Sequence, residues 1–189
     1  MTSDYTEQDL GDTVAQLASE SRRERQNAAI AMSEYAQVNP QALTPFASAL
    51  VAALDCREAR TRWECFKALS ALAAYDPSIG DDVFPAAEDA LFEEGSGFVR
   101  LSALRFLCAY GATDVERSKR AWPLIEEAIQ CYHGDAEFHD MLNAVAAFAS
   151  GDLDDEVKEA LAARVSFDAK NGKGSLKRRT QQILDNLRA

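Results

Sequence analysis

Apolar residues return along this chain in steps of three and four. The same step pattern recurs at intervals of 37, 38, 38 and 39 residues, in segments opening at Arg25, Arg62, Arg100, Phe138 and Lys177. Compared column by column, the fourth position is Ala28, Cys65, Ala103, Met141 and Thr180. The eighth is Met32, Leu69, Leu107, Val145 and Leu184, and the eleventh is Tyr35, Leu72, Tyr110, Phe148 and Leu187. This spacing puts the three columns on one stripe of a helix, a stripe that has to be buried. A second periodic set lies between these helices. "LTPFASALVAAL", "VFPAAEDALFEE" and "AWPLIEEAIQCY" each carry proline third, at Pro45, Pro85 and Pro123, and the fifth copy, "DEVKEALAARVS", has no proline. Proline fits the first turn of a helix and deeper inside forces a kink. Helix ends are marked by Asn39-Pro40, Asp76-Pro77, Gly111, Gly134-Asp135 and Gly151-Asp152.

The unit is an outer helix, a turn and an inner helix, five times over. A flexible segment, 1–9, is expected to precede repeats at 10–39, 40–76, 77–111, 112–151 and 152–189 of a single domain. One such hairpin cannot bury its apolar stripe alone, so neighbours stack. The expected fold is all-α, a right-handed α-solenoid (an α-α superhelix) of about five helix-turn-helix repeats. Over roughly residues 10–189 the chain resembles the HEAT-repeat (armadillo/HEAT-like) family. The resemblance rests on the proline of the first helix and the arginine opening the second, at Arg25, Arg62 and Arg100. The repeat is slightly shorter than the ~40–47 residues usual in that family. The fourth unit replaces the arginine with Phe138, and the fifth has Lys177 and lacks the proline. The resemblance implies that the recurring arginine pairs with an acid near the preceding turn. Asp55 and Glu94 are placed to do so for Arg62 and Arg100.

With positions four, eight and eleven inward, positions two, six and nine form an exposed inner ridge. It would pave the concave face, where solenoids commonly bind partners. The candidate binding residues on it are Trp63, Lys67, Leu101, Arg105, His139 and Arg178, and the same columns hold Ser33, Ser70, Cys108 and Ala146. An aromatic and an aliphatic beside long basic side chains is the chemistry of an interface hot spot. Trp63 and Leu101 equally suit packing against the next repeat, and both readings stand at this point.

Composition then sharpens the picture. With 189 residues, 47% hydrophobic and 27% charged, the chain suits a globular domain or short repeat array. A net charge of −11 argues against nucleic acid and anionic membranes. The charge separates by layer, however. The outer helices with the N-terminal segment hold 5 Lys/Arg against 22 Asp/Glu, whereas the inner segments hold 15 against 9. A basic inner layer, richest in "KNGKGSLKRR", suits an acidic peptide or a phosphate backbone. The inner segment 134–151, with three acids and no Lys or Arg, interrupts it. No apolar run approaches the ~20 residues of a membrane span, and "MTSDYTEQDLGD" is too acidic and polar for a signal peptide. Cys56, Cys65, Cys108 and Cys131 form no C-x-x-C pair and sit among apolar neighbours. A cytoplasmic protein with no membrane partner is expected.

Reactive constellations are poor. Cys131, His133, Asp135 and His139 are close in sequence, but C-x-H-x5-H is no established zinc spacing and it straddles a helix break. There is no P-loop, GxGxxG or HExxH, and neither histidine has a nucleophile partner by spacing. No catalytic residue, metal or cofactor is expected. "KNGKGS" reads as a flexible turn with Ser175 as N-cap, and Thr180 and Gln181 suggest a polar capping helix. The function expected is a non-enzymatic scaffold or adaptor holding a protein or peptide partner on the concave face. The alternative is nucleic-acid binding, in resemblance to the HEAT-like alkylpurine DNA glycosylases, small helical solenoids with aromatics and a carboxylate on a basic concave face. Trp63 and the inner Arg and Lys residues fit that pattern loosely. No carboxylate matches residue by residue, and Asp140 is a candidate by position only.

Overall fold

A computed structural model of the chain describes residues 6–188. Among them are ten α-helices, three short 3-10 segments and no strand. Of the segment 1–9 expected to be flexible, residues 1–5 lie outside the described residues. Thr6 caps the first helix, its hydroxyl accepting from Asp9 N at 3.2 Å while the Asp9 carboxylate accepts from Thr6 N at 3.0 Å. The chain divides into two compact units, Met1–Phe106 and Leu107–Ala189, with the division inside a helix.

The first unit holds α1 (Glu7–Ala15), α2 (Arg22–Ala36), α3 (Ala47–Ala52), α4 (Ala59–Tyr75), α5 (Pro77–Leu91) and α6 (Gly97–Gly111) as far as Phe106. The inner helix α2 packs along α4, and α4 packs on α3 and α5. The Phe66 and Phe106 rings, centroids 6.3 Å apart, join α4 to α6. Asp76 ends α4 and starts α5, its carboxylate accepting from Ser78 N at 3.1 Å. The second unit takes α6 from Leu107, then α7 (Val115–Cys131), α8 (Phe138–Phe148), α9 (Asp155–Asn171) and α10 (Gly174–Asn186). Here α10 packs on α8 and α9, and α7 on the same two helices. Ser118 Oγ accepts from Asp154 N at 3.0 Å, and Arg164 pairs with Glu126 at 2.6 Å, tying α7 to α9.

The buried stripe falls in the expected register. Ala28, Cys65, Ala103 and Met141 at the fourth position, and Met32, Leu69, Leu107 and Val145 at the eighth, are all buried. In α10 the register turns: Ile183 is buried and Leu184 half-buried. Thr180 is no polar cap. It is 1% exposed, and its hydroxyl donates to the Leu176 carbonyl at 2.9 Å, so the polar atom is satisfied inside its own helix. Nor is Ser175 an N-cap, because α10 starts earlier, after Lys173.

The prolines lie deeper than a helix start. Pro85 and Pro123 are inside α5 and α7, and Pro45 is in the 3-10 stretch Pro40–Phe46 before α3. Each removes a donor from its helical turn. The recurring arginine also has other partners than expected. Arg25 pairs with Glu58, and Arg62 with Glu93, acids that follow rather than precede them. Arg25 Nη1 additionally donates to the Ser19 and Glu20 carbonyls at 2.6 and 3.0 Å. Arg100 donates to the Glu93 and Glu94 carbonyls at 3.0 and 3.5 Å. Arg25 and Arg100 thus tie down carbonyls of the preceding turn, and Arg25 and Arg62 pair with acids further along the chain.

Candidate functional site

In the first unit, α4 presents Arg60, Trp63 and Lys67 at i, i+3 and i+7, which is one side of a helix. On α6, Phe98 and Arg105 are likewise seven residues apart. The Trp63 and Phe98 rings meet at 5.0 Å between centroids, tilted by 46°. Phe98 is 66% exposed and Trp63 about half-buried, so the pair forms an aromatic shelf open to solvent.

Beneath the shelf is a carboxylate that the ridge pattern does not include. Glu64 is 8% exposed and accepts three hydrogen bonds, from Ser33 Oγ at 2.6 Å, Lys67 Nζ at 2.7 Å and Trp63 Nε1 at 3.1 Å. Burial by itself would push Glu64 up. The bonds from Lys67, Ser33 and Trp63 outweigh it and hold the carboxyl below the ordinary carboxylate range. The network satisfies the indole N–H and fixes the ring, and it largely offsets the charge of Lys67.

The ridge as read from the sequence is therefore only partly a surface. Trp63 and Lys67 are half-buried and Arg105 is exposed, but Leu101 is 5% exposed and is not available to a partner. Ser33, Cys108 and Ala146 of the same columns are also buried. The last two candidates belong to the second unit. His139 on α8 is exposed, with Nε2 3.4 Å from Ser175 Oγ, and Arg178 is exposed on α10. Asp140 is exposed and accepts from Asn143 Nδ2 at 3.4 Å. Glu64 has a faint sequence signal, an acid within the apolar run "WECFKAL". Phe98 has none, because it precedes the repeating frame.

The groups considered for chemistry are dispersed. His133 Nε2 bonds the Asp168 carboxylate at 3.1 Å and its ring meets Phe138, whereas His139 faces Ser175. Among the described residues no three His, Cys, Asp or Glu side chains are grouped to hold a metal. Burial pushes the Cys65 and Cys108 thiols up, away from the reactive thiolate. An open cleft of about 420 Å3 lies over Leu54 and Phe66, and there Arg62 is already paired with Glu93. No described helix is long and apolar enough to cross a membrane.

No family model matches the chain, and no curated protein matches it. Solved structures do. A designed armadillo repeat protein in complex with the peptide (KR)4 is similar over 95% of this chain and 82% of its own, with TM-score 0.75 and 16% identity. An engineered protein is similar over 96% of this chain and 80% of its own, with TM-score 0.74 and 16% identity. A computationally designed armadillo repeat protein for modular peptide recognition is similar over 95% and 82%, with TM-score 0.70 and 18% identity. Identities this low speak for the fold alone, and that fold is the armadillo/HEAT-like α-solenoid.

Proposed function

We propose that the chain is a binding scaffold for a protein or peptide partner, with no chemistry of its own, and that the partner docks on the exposed side of the inner helices. The observation that carries this reading is the open Trp63–Phe98 pair, whose tryptophan is held in place by Glu64. An exposed aromatic shelf on rigid helices is what interface hot spots are made of, and inner helices of solenoids commonly form the binding side. Peptide binding is within the reach of this fold: one structural neighbour holds (KR)4 and another was designed for peptide recognition. Four free cysteines, two of them deeply buried, support a place in the reducing cytoplasm.

The test is equilibrium binding of the full chain to a mixed-sequence peptide library, alongside Trp63→Ala and Arg105→Glu. Both variants are first checked by circular dichroism. Loss of apolar contact should weaken binding in the first variant, and lost charge in the second, more so at low salt. Wild-type affinity in both folded variants would move the partner elsewhere, to the acidic outer helices.

A further inference from the structure

The helices α4 and α6 together carry five cations, Arg60, Arg62, Lys67, Arg100 and Arg105, and one acid, Glu64. That acid is buried and tied to Lys67. Arg62 is paired with Glu93, and Arg100 is bound to the carbonyls at the end of the preceding turn. Arg60 and Arg105 are different. Both are exposed, and among the described residues neither forms an ion pair. On α4, Arg60 lies one turn before Trp63. On α6, Arg105 lies two turns after Phe98. An apolar shelf thus has uncompensated positive charge along both helices that build it, on a chain whose net charge is −11.

Resting on the reading that the inner helices bind a partner, we infer that this surface docks an acidic peptide segment whose apolar anchor residue lies on the Trp63–Phe98 shelf. The two parts answer to different forces. The anchor buries apolar area against rings that are already ordered, so little side-chain freedom is lost on binding. The acids meet Arg60 and Arg105 at the rim, where charge sets specificity and on-rate more than depth of binding. Spacing follows as well. Seven residues of helix rise roughly 10 Å, which an extended peptide spans in about three residues. An Asp or Glu three positions from the anchor therefore reaches Arg105. Glu64 acts as a positioning residue. It holds the indole by its N–H and keeps Lys67 from competing for the peptide's acids.

The experiment is fluorescence anisotropy with labelled short peptides of equal length on the full chain. One peptide carries a single Leu anchor among Asp and Glu, a second replaces that Leu by Ala, a third replaces the acids by Lys, and a single-stranded oligonucleotide stands for phosphate chemistry. The acidic, Leu-anchored peptide should bind tightest. It should lose about tenfold in affinity on removal of its anchor or in Phe98→Ala, the loss of one hot-spot contact. Phe98 is mostly solvent-exposed, so this variant keeps its fold even where Trp63→Ala does not. Arg60→Glu with Arg105→Glu should weaken binding several-fold at low salt and less at high salt. Preference for the Lys peptide, lost in Phe98→Ala, would overturn the acidic partner and leave the binding face standing. Acidic-peptide binding unchanged in Phe98→Ala and the double reversal would overturn the face itself. Tightest binding to the oligonucleotide, with a steep salt slope, would overturn the peptide partner altogether, as would no binding by any probe.

Discussion

Leu69 and Leu107 stand at equivalent positions of successive inner helices, and both are fully buried. Truncation to Ala at either removes apolar contact and leaves a cavity, so each should cost ~2–5 kcal/mol in urea unfolding. A loss below about 0.5 kcal/mol would place the stripe on the wrong side of the helix. Glu64 calls for a different argument, because three donors converge on it. Glu64→Ala takes this acceptor from the Lys67 ammonium and the Trp63 N–H, while the Ser33 hydroxyl keeps the Ile30 carbonyl at 3.0 Å; it should cost ~1–3 kcal/mol, more than Glu64→Gln, which keeps an acceptor oxygen. The same carboxyl gives a pH signature. Its folded value lies below the unfolded one, so the folded chain binds fewer protons there. Its stabilising effect is complete above the ordinary carboxylate range and is lost as pH falls through the folded value. Asp114, held low by the Arg117 backbone N–H, and Asp154, held low by Lys119, act in the same direction. Tm should fall as pH drops from about 6 to about 3, less steeply in Glu64→Gln. A flat profile would contradict the network.

At the scale of elements, the inner helices were legible because each has one apolar stripe with a 3.6-residue period, and Leu69, Leu107, Val145 and Phe148 landed where that period puts them. Helix α6 shows why the ridge was not. "FVRLSALRFLCAY" is apolar on nearly every side, so no stripe separates Leu101 from the core, and Leu101 is buried with it. The arginine partners are hidden from the sequence for another reason. Spacing along the chain favoured the nearer acid Asp55, whereas Arg62 reaches Glu93, 31 positions on, which only packing brings close. Proline position was informative about the outer helices but not about their starts, since Asp76 and Asp114 cap α5 and α7 well ahead of Pro85 and Pro123. The turn at Gly151 can be tested directly. A Cβ there would lie 2.5 Å from the Ala112 carbonyl oxygen, beside the 3.0 Å bond from Asp152 N to that oxygen. Gly151→Ala should destabilise by ~1–3 kcal/mol, as overpacking does. Helix α10 should exchange its amides faster than α4, because Lys177, Arg178, Gln181, Gln182 and Asp185 leave one of its sides to solvent. Equal protection in the two helices would count against that account.

Over the whole molecule, the charge partition joins fold to proposed function. Within the first unit the cations gather on α2, α4 and α6, so the net −11 of the chain conceals a basic layer there. Part of that layer is structural, as with Arg25 and Arg62, and part is free to act, as with Arg60 and Arg105. Sequence alone supplied the layer but not this distinction, which depends on where each guanidinium finds an acid. The most direct measurement uses the two tryptophans. Trp122 is buried on α7, and Trp122→Phe leaves Trp63 as the single indole emitter. Titrating this variant with the acidic, Leu-anchored peptide, while anisotropy reports saturation independently, reads the shelf itself. Trp63 emission should shift to shorter wavelength and become shielded from iodide in step with binding. Saturable binding with Trp63 emission and iodide quenching unchanged would contradict docking on the shelf.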